Sequence, residues 1–345
     1  MRSNSNCRKD CSDACHYSTP SERRRFVPSD RKPAVIVRDH PSGLKLFLVM
    51  RGSVLGRIWQ KLLVTTLLAI AVTLSHGAIL HHKVTLTIIP FTLIGLPLAI
   101  FLGFRNNSAY DRYWEGRKLW GEIIFNSRNL ARQSLSLVGP APLAGGDRPD
   151  IRKRMVHRAI AYAHALRHHL RDSDASADVA SLLTPDELRR FATAVHKPNF
   201  LIDRMGEDLR LCIDDKRIDG CLAAAIDSTF SALLAACTAC ERIKGTPIPF
   251  SYTLLLHRTA YFYCFLLPFG LVDTIGFMTP FVVAIVAYTF FGLDALGDEI
   301  EEPFGLAPND LPLDTICRTI EINLRESLGE TALPQSLQPV GYQLT

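Results

Sequence analysis

Apolar positions along this chain gather into four long runs instead of the short alternations of a soluble core. Leu62 to Leu80 is apolar apart from His76, and Val84 to Phe104 carries no charge. At about 1.5 Å per residue, either run as a helix crosses a hydrocarbon core of roughly 30 Å. Only His81, His82 and Lys83 separate the two, which predicts a helical hairpin. A second pair lies near the far end. Tyr252 to Val272 is apolar except for His257 and Arg258, and Thr274 to Leu293 is uncharged, with Asp273 marking the expected turn. An arginine inside a span is costly unless it sits near the interface or faces protein or water, so Arg258 is expected near the cytoplasmic end or in a polar cavity.

Between the pairs, Arg105 to Phe250 reads as amphipathic helices broken at Gly139-Pro140-Ala141-Pro142, Thr184-Pro185-Asp186-Glu187 and Gly245-Thr246-Pro247. Thr184 is a good N-cap, Pro185 suits the first helical position and Glu187 completes a capping box. Arg51, Arg57 and Lys61 precede the first run, and Arg105, Arg112, Arg117 and Lys118 follow the second, whereas the two short turns hold one Lys. Basic residues remain on the cytoplasmic side, which places both termini and the middle segment there. The expected fold is therefore an all-α, multi-pass integral membrane protein of the plasma (inner) membrane, with four transmembrane helices and a helical cytoplasmic domain. Its expected divisions are a disordered extension at 1–34, the first two spans with their lead-in at 35–104, the cytoplasmic domain at 105–250, spans three and four at 251–296, an acidic connector and helix at 297–330, and a flexible tail at 331–345.

Composition removes several alternatives. The formal net charge is only +5, and the basic residues flank apolar runs without forming a patch with interleaved aromatics, which argues against nucleic acid as a partner. Most of the nine cysteines sit in apolar or helical stretches and read as reduced thiols. Cys237 and Cys240, a lone C-x-x-C in an alanine-rich helix, read as small core residues and not as a redox or zinc site. Cys7, Cys11 and Cys15 with His16 have a loose metal-like spacing, but a floppy extension is the plainer reading of that segment. His164, His168 and His169 with Asp172 and Asp174 put two histidines four apart on one helix face, a spacing that can hold zinc. No third ligand is apparent, and a solvated basic face is the simpler reading. No metal and no cofactor are expected.

Two stripes of spacing four run side by side through the second span. Gly95, Ala99 and Gly103 form a stripe of small residues that lets helices approach closely. Leu96, Ile100 and Phe104 form a bulky one, which in a ring of copies would become stacked hydrophobic constrictions that gate ions by dewetting; ordinary lipid-facing or core packing is the alternative. Tyr110, Tyr113 and Trp114 suit a headgroup-level aromatic belt. After the fourth span, Asp294, Asp298, Glu299, Glu301 and Glu302, then Asn309, Asp310 and Asp314, form an acidic stretch without EF-hand spacing. It reads as a solvated connector in which Asp314 caps the next helix, with cation binding as the alternative.

Four pieces together resemble the bestrophin family, and most closely its prokaryotic branch. They are Arg51-Gly-Ser-Val, Ala99-Ile-Phe-Leu-Gly-Phe-Arg-Asn-Asn-Ser-Ala-Tyr-Asp-Arg112, Cys240-Glu-Arg-Ile-Lys-Gly-Thr-Pro-Ile-Pro-Phe250, and Glu302-Pro-Phe-Gly305 with Asn309-Asp-Leu-Pro312. Their order and spacing fit from about Val35 to Leu333. The resemblance implies a homopentamer around one central pore, with Leu96, Ile100 and Phe104 as its hydrophobic neck. It also implies a wide cytoplasmic vestibule whose aperture falls near Cys221, where isoleucine is common in the family. Animal members are chloride channels opened by Ca²⁺ held in an acidic clasp. Here the corresponding region, with Glu302, Asn309 and Asp310, has lost most of its carboxylates, which argues against Ca²⁺ gating. The likeness to prokaryotic members implies conduction of small monovalent ions, with cation (Na⁺) selectivity favoured and a chloride or anion channel as the alternative. The implied partners are further copies of the chain, membrane lipid and the permeating ions. A membrane-anchored enzyme working through His164 and His168, and a scaffold, are the readings from other classes.

Overall fold

Proline and glycine set the start of the helix Ile89–Ser136 and the ends at which the helices Phe250–Ile275 and Thr279–Ile300 meet. The structure is a computed structural model. It describes residues 52–75, 86–140 and 150–339, with the backbone of two-residue strands β1 (Val35–Ile36), β2 (Ala78–Ile79), β3 (His82–Lys83) and β4 (Gln343–Leu344). The cysteines and histidine of the extension, and Arg51, lie outside the described residues. Helix α1 spans Leu55–Leu74 and closes on the Ser75 N–H, which donates to the Ala71 carbonyl at 3.0 Å. The apolar run continues to Leu80, but Ala78–Ile79 pairs antiparallel with His82–Lys83, and β1 pairs with β4 in the same sense.

Helix α2 spans Ile89–Ser136, later than the run beginning at Val84, because Pro90 occupies its first turn, where the missing N–H is an orphan anyway. Its 48 residues make a rod of about 72 Å, more than twice a hydrocarbon core. One continuous helix therefore runs through position 104, where the sequence placed a domain boundary. Near the other end, α8 (Phe250–Ile275) and α9 (Thr279–Ile300) are joined by a 3₁₀ turn at Gly276–Met278. The expected turn at Asp273 lies inside α8. The chain reverses at Gly276 because its φ of +51° is open to a residue without Cβ, and Pro280 then fits the first turn of α9.

The rest is a helical domain of α3 (Ile151–Leu170), α4 (Ser176–Val179), α5 (Pro185–Thr193), α6 (Lys197–Asp214), α7 (Gly220–Gly245) and α10 (Leu313–Ser327). Its core brings Trp120, Ile123 and Leu130 of α2 against Ile160 and Leu166 of α3, Phe191, Met205, Ile226, Leu233 and Ile320. Among the described residues, the helical stretches long and apolar enough to cross a membrane are α1, α2, α7 and those within Phe250–Ile300, which holds α8 and α9. Helix α7 has another use for that apolarity: Ala223, Phe230, Cys237, Cys240 and Ile243 are buried in the domain core. The spans are α1, the first part of α2, α8 and α9. Burial pushes the Cys237 thiol up to about 12, and Glu241 adds to the shift; burial raises Cys240 as well, so neither carries thiolate at neutral pH.

Helix α3 is the central strut, buried almost continuously from Arg158 to Arg167. Tyr162 donates to the Leu233 carbonyl at 2.6 Å, and buried Asp208 pairs with both Arg154 and Arg158, of which Arg158 also holds Glu187. Glu187 in turn closes the capping box with Thr184 that the sequence predicts. Removing the Thr184 hydroxyl as Thr184→Ala should cost about 1 kcal/mol, read as a lowered melting temperature of the detergent-solubilised protein.

Candidate functional site

One face of α2 in its spanning half is committed within the chain. Leu98 and Leu102 are buried against Leu256 and Ala260 of α8, with Tyr252, Tyr263 and Phe290 around them. The opposite side holds Leu96, Ile100 and Phe104, which are 67%, 47% and 58% exposed. The small-residue stripe divides. A Cβ at Gly95 would come 2.8 Å from the Tyr263 hydroxyl, whereas one at Gly103 would meet nothing, and Ala99 is exposed. Gly95 thus serves contact inside the chain, while Ala99 and Gly103 remain open beside the bulky stripe. Phe101 makes edge contacts with Phe104 and Tyr252 at 6.2 and 6.4 Å, and the Tyr252 hydroxyl donates to the Phe101 carbonyl at 3.1 Å. Arg258 stands in the third turn of α8, exposed, on the face that also bears Leu255 and Phe262.

One residue below Phe104 the environment changes from apolar to ionic. Arg105 is fully buried and donates to the Asp294 carboxylate at 3.0 Å and to the Asp294 carbonyl at 3.2 Å. It also pairs with Asp298 and lies 3.8 Å from Glu301. The second oxygen of Asp294 is 2.7 Å from His257 Nδ1. Asn106 donates to the Leu293 carbonyl at 3.1 Å, and a Cβ at Gly297 would sit 2.4 Å from the Asn106 side-chain oxygen, so only glycine allows α2 and α9 to approach this closely. Two turns further, Arg112 donates to the carbonyls of Glu301, Ile243 and Thr246, and Glu301 accepts the Ile248 N–H at 3.0 Å. Three of the separated sequence pieces, around Arg112, Ile243–Ile248 and Glu301–Phe304, meet at this junction.

The acidic stretch is therefore not a solvated connector. Asp294 and Glu299 are buried, and Arg105 supplies the counter-charge that lets Asp294, with Asp298 one turn on, enter the helix interface. Nor does Asp314 cap the last helix. Pro312 holds that place, and Asp314 in the first turn of α10 binds Arg167 and Arg171, each at 2.8 Å. The expected aromatic belt also divides: Tyr110 and Trp114 stack with centroids 6.3 Å apart, while Tyr113 packs on the domain core. Burial decides how much each acid matters. The Asp294 side chain is 3% exposed and that of Asp298 is 46% exposed. Asp294→Ala should therefore cost about 3–5 kcal/mol by leaving Arg105 under-paired, and Asp298→Ala under about 1 kcal/mol, as compared by thermal unfolding.

In the loop after α9, Glu302 is exposed, Asn309 is half-buried and Asp310 is buried. Asp310 accepts the Ala307 N–H at 2.6 Å, and the Leu311 N–H donates to the Pro303 carbonyl at 2.8 Å, so the loop's one buried carboxylate is engaged by its own backbone. Burial pushes the Asp310 carboxyl from its ordinary 3.8 to about 7; Glu299 and Glu302 add to the shift, while the Ala307 N–H and Arg171 oppose it. Between those values the folded chain keeps a proton that the unfolded chain releases, so this group's stabilising contribution is full below about pH 4 and is lost as pH rises through about 7. Asp310→Asn should unfold at a higher temperature than the parent at pH 8 and at the same temperature near pH 4. An equal difference at both pH values would contradict the assignment.

The histidines are parted. His164 is buried 3.4 Å from Glu321, and His168 contacts Asp178 at 2.8 Å and Ser173 at 2.7 Å, so the pair at spacing four does not face one ligand. His169 turns instead to His196 and Glu241. Asp172 and Asp174 bind Lys244 and Lys197. Cys221 is exposed in the first turn of α7, its N–H donating to Asp219 at 2.8 Å. The ionic junction has one mark in the sequence: two acids one turn apart, Asp294 and Asp298, at the end of one span and Arg105 at the end of another.

Residues 35–326 match the family described as Bacterial/Fungal Bestrophin protein. The chain is 41% identical over 305 residues to "Voltage-dependent anion channel-forming protein mll4386" of Mesorhizobium japonicum, an alignment covering 88% of this chain and 96% of that one. It is 39% identical over 312 residues to "Voltage-dependent anion channel-forming protein YneE" of Escherichia coli K12, covering 90% and 100%. A crystal structure of a bacterial bestrophin homologue from Klebsiella pneumoniae is similar with a TM-score of 0.73 at 36% identity, over 79% of this chain and 99% of that one. With an all-helical fold, four spanning helices and a family match across most of its length, this chain belongs to the bestrophin family.

Proposed function

We propose that this chain is one subunit of a homopentameric channel for small monovalent ions. The observation that carries the reading is the apolar stripe Leu96, Ile100 and Phe104, left exposed on the side of a spanning helix opposite its buried face. In a ring of copies that stripe becomes three stacked apolar layers, a neck that conducts when wetted and blocks when dry. Open Ala99 and Gly103 beside it allow close approach by a neighbouring copy. Exposed Arg258 favours protein or water over lipid against its face of α8, which supports the same assembly. The flanking basic residues favour the cytoplasmic side of the plasma (inner) membrane for both termini and the helical domain, and the likeness to the family favours Cys221 near the vestibule's aperture. Along the chain, the neck then belongs to 35–104 and the vestibule to 105–250, while 251–296 and 297–330 supply the acids of the junction.

The neck carries no charge and cannot itself choose between ions of opposite sign. The likeness to prokaryotic members favours monovalent cations, and the names of the two relatives favour anions. The enzyme reading loses its motive, since His164 and His168 lie against different carboxylates, Glu321 and Asp178, and do not share one site.

Purified protein in planar bilayers under asymmetric NaCl tests this, with Ile100→Ala and Phe104→Ala alongside. Larger currents from both variants are expected, since smaller side chains widen and wet the neck. A reversal potential near the sodium limit supports cation conduction, and one near the chloride limit supports the anion reading. Silence in every variant of correctly assembled protein overturns the channel.

A further inference from the structure

We propose that His169, His196 and Glu241 form a zinc site that joins three helices of the helical domain. His169 lies in the last turn of α3, His196 immediately precedes α6, and Glu241 stands near the end of α7. One oxygen of Glu241 lies 2.7 Å from His169 Nε2 and 2.6 Å from His196 Nε2, and the three donor atoms all fall within 4.8 Å of one another. The imidazole rings are 4.8 Å apart and tilted by 41°, so both direct a nitrogen at the same carboxylate without stacking face to face.

Two imidazole nitrogens and one carboxylate oxygen are a donor set that zinc takes in tetrahedral geometry, with solvent in the fourth position. Bonds of about 2.0–2.2 Å place tetrahedral ligands roughly 3.3 Å apart, so the nitrogen–oxygen contacts need to open by little more than half an ångström. The side chains of His169, His196 and Glu241 are 33%, 37% and 30% exposed, which leaves an entry path and room for that adjustment. Nearby Lys244 is paired to Asp172 at 2.7 Å, which limits its repulsion of a cation. Binding has one local consequence. His196 Nδ1 accepts the Asn199 N–H at 3.0 Å, which puts the proton of the neutral ring on Nε2. Zinc at Nε2 moves that proton to Nδ1, and the Asn199 N–H passes to solvent.

The site would brace a sensitive point. Glu241 is followed by Arg242, which binds Glu115 of α2, and by Ile243, whose carbonyl accepts from Arg112 where the chain leads into α8.

The test uses the intact solubilised protein, stripped with EDTA and titrated with zinc alone. Expected are about one zinc per chain, measured by competition with a chromophoric chelator, and a melting temperature that rises with zinc concentration. His169→Ala and the near-isosteric Glu241→Gln should each lose that zinc and its thermal shift, while His157→Ala, outside the cluster, should keep both. No uptake by the parent, undiminished uptake by both variants, or equal loss in His157→Ala would each overturn the site.

Discussion

A guanidinium sealed from water at the end of a spanning helix must find its counter-charges inside the protein, and the placement of Arg105 organises the rest of this structure. Removed from water, an unpaired arginine would cost several kcal/mol, so α9 has to bring Asp294 and Asp298 to it, and His257 of α8 then reaches the second oxygen of Asp294. These contacts set the register of α2 against α8 and α9. With Arg105, Leu98 and Leu102 turned inward, helical geometry leaves Leu96, Ile100 and Phe104 on the outside. The proposed neck is thus the other face of an ion-paired helix.

Because α2 is one helix of 48 residues whose internal proline, Pro97, lies ahead of Ile100, the lower part of the apolar stripe continues directly into the helical domain. Arg112 ties that rod to the carbonyls at the end of α7 and to Glu301, the same acid that receives the Ile248 N–H ahead of α8. A displacement in the domain therefore meets the spans at a small set of hydrogen bonds directly below Phe104. This arrangement suits coupling between the two regions, since packed helices with discrete partners shift together more readily than they bend.

Acid placement shows how a charge-rich segment can be structural. Seen as a string, the residues from Asp294 to Asp314 look like a water-exposed run. Folded, Asp294 neutralises Arg105, Glu301 serves as a backbone acceptor, Asp314 binds Arg167 of α3 and Arg171 just beyond it, and Asp310 is buried against its own loop. Each carboxylate has a different job because each meets a different neighbour.

The sequence by itself determined the features that depend on short stretches of chain. Sustained apolarity over a membrane's thickness marks α1, α2, α8 and α9, with α7 as a fifth stretch that packing assigns to the domain core, and the hydroxyl and carboxylate of Thr184 and Glu187 specify a helix start within four residues. The motifs from Arg51 to Pro312 identify the family. Tertiary structure decided which faces of those helices meet. Arg105 and Asp294 are 189 positions apart, and His169, His196 and Glu241 come from three separate helical segments, so no spacing within one segment shows which partners meet. The turn at Gly276 and the burial of Asp310 were likewise decided by backbone conformation and packing. Hydropathy and capping are properties of neighbours in sequence, whereas the pairing of a charge depends on which side chains the packed helices bring within reach.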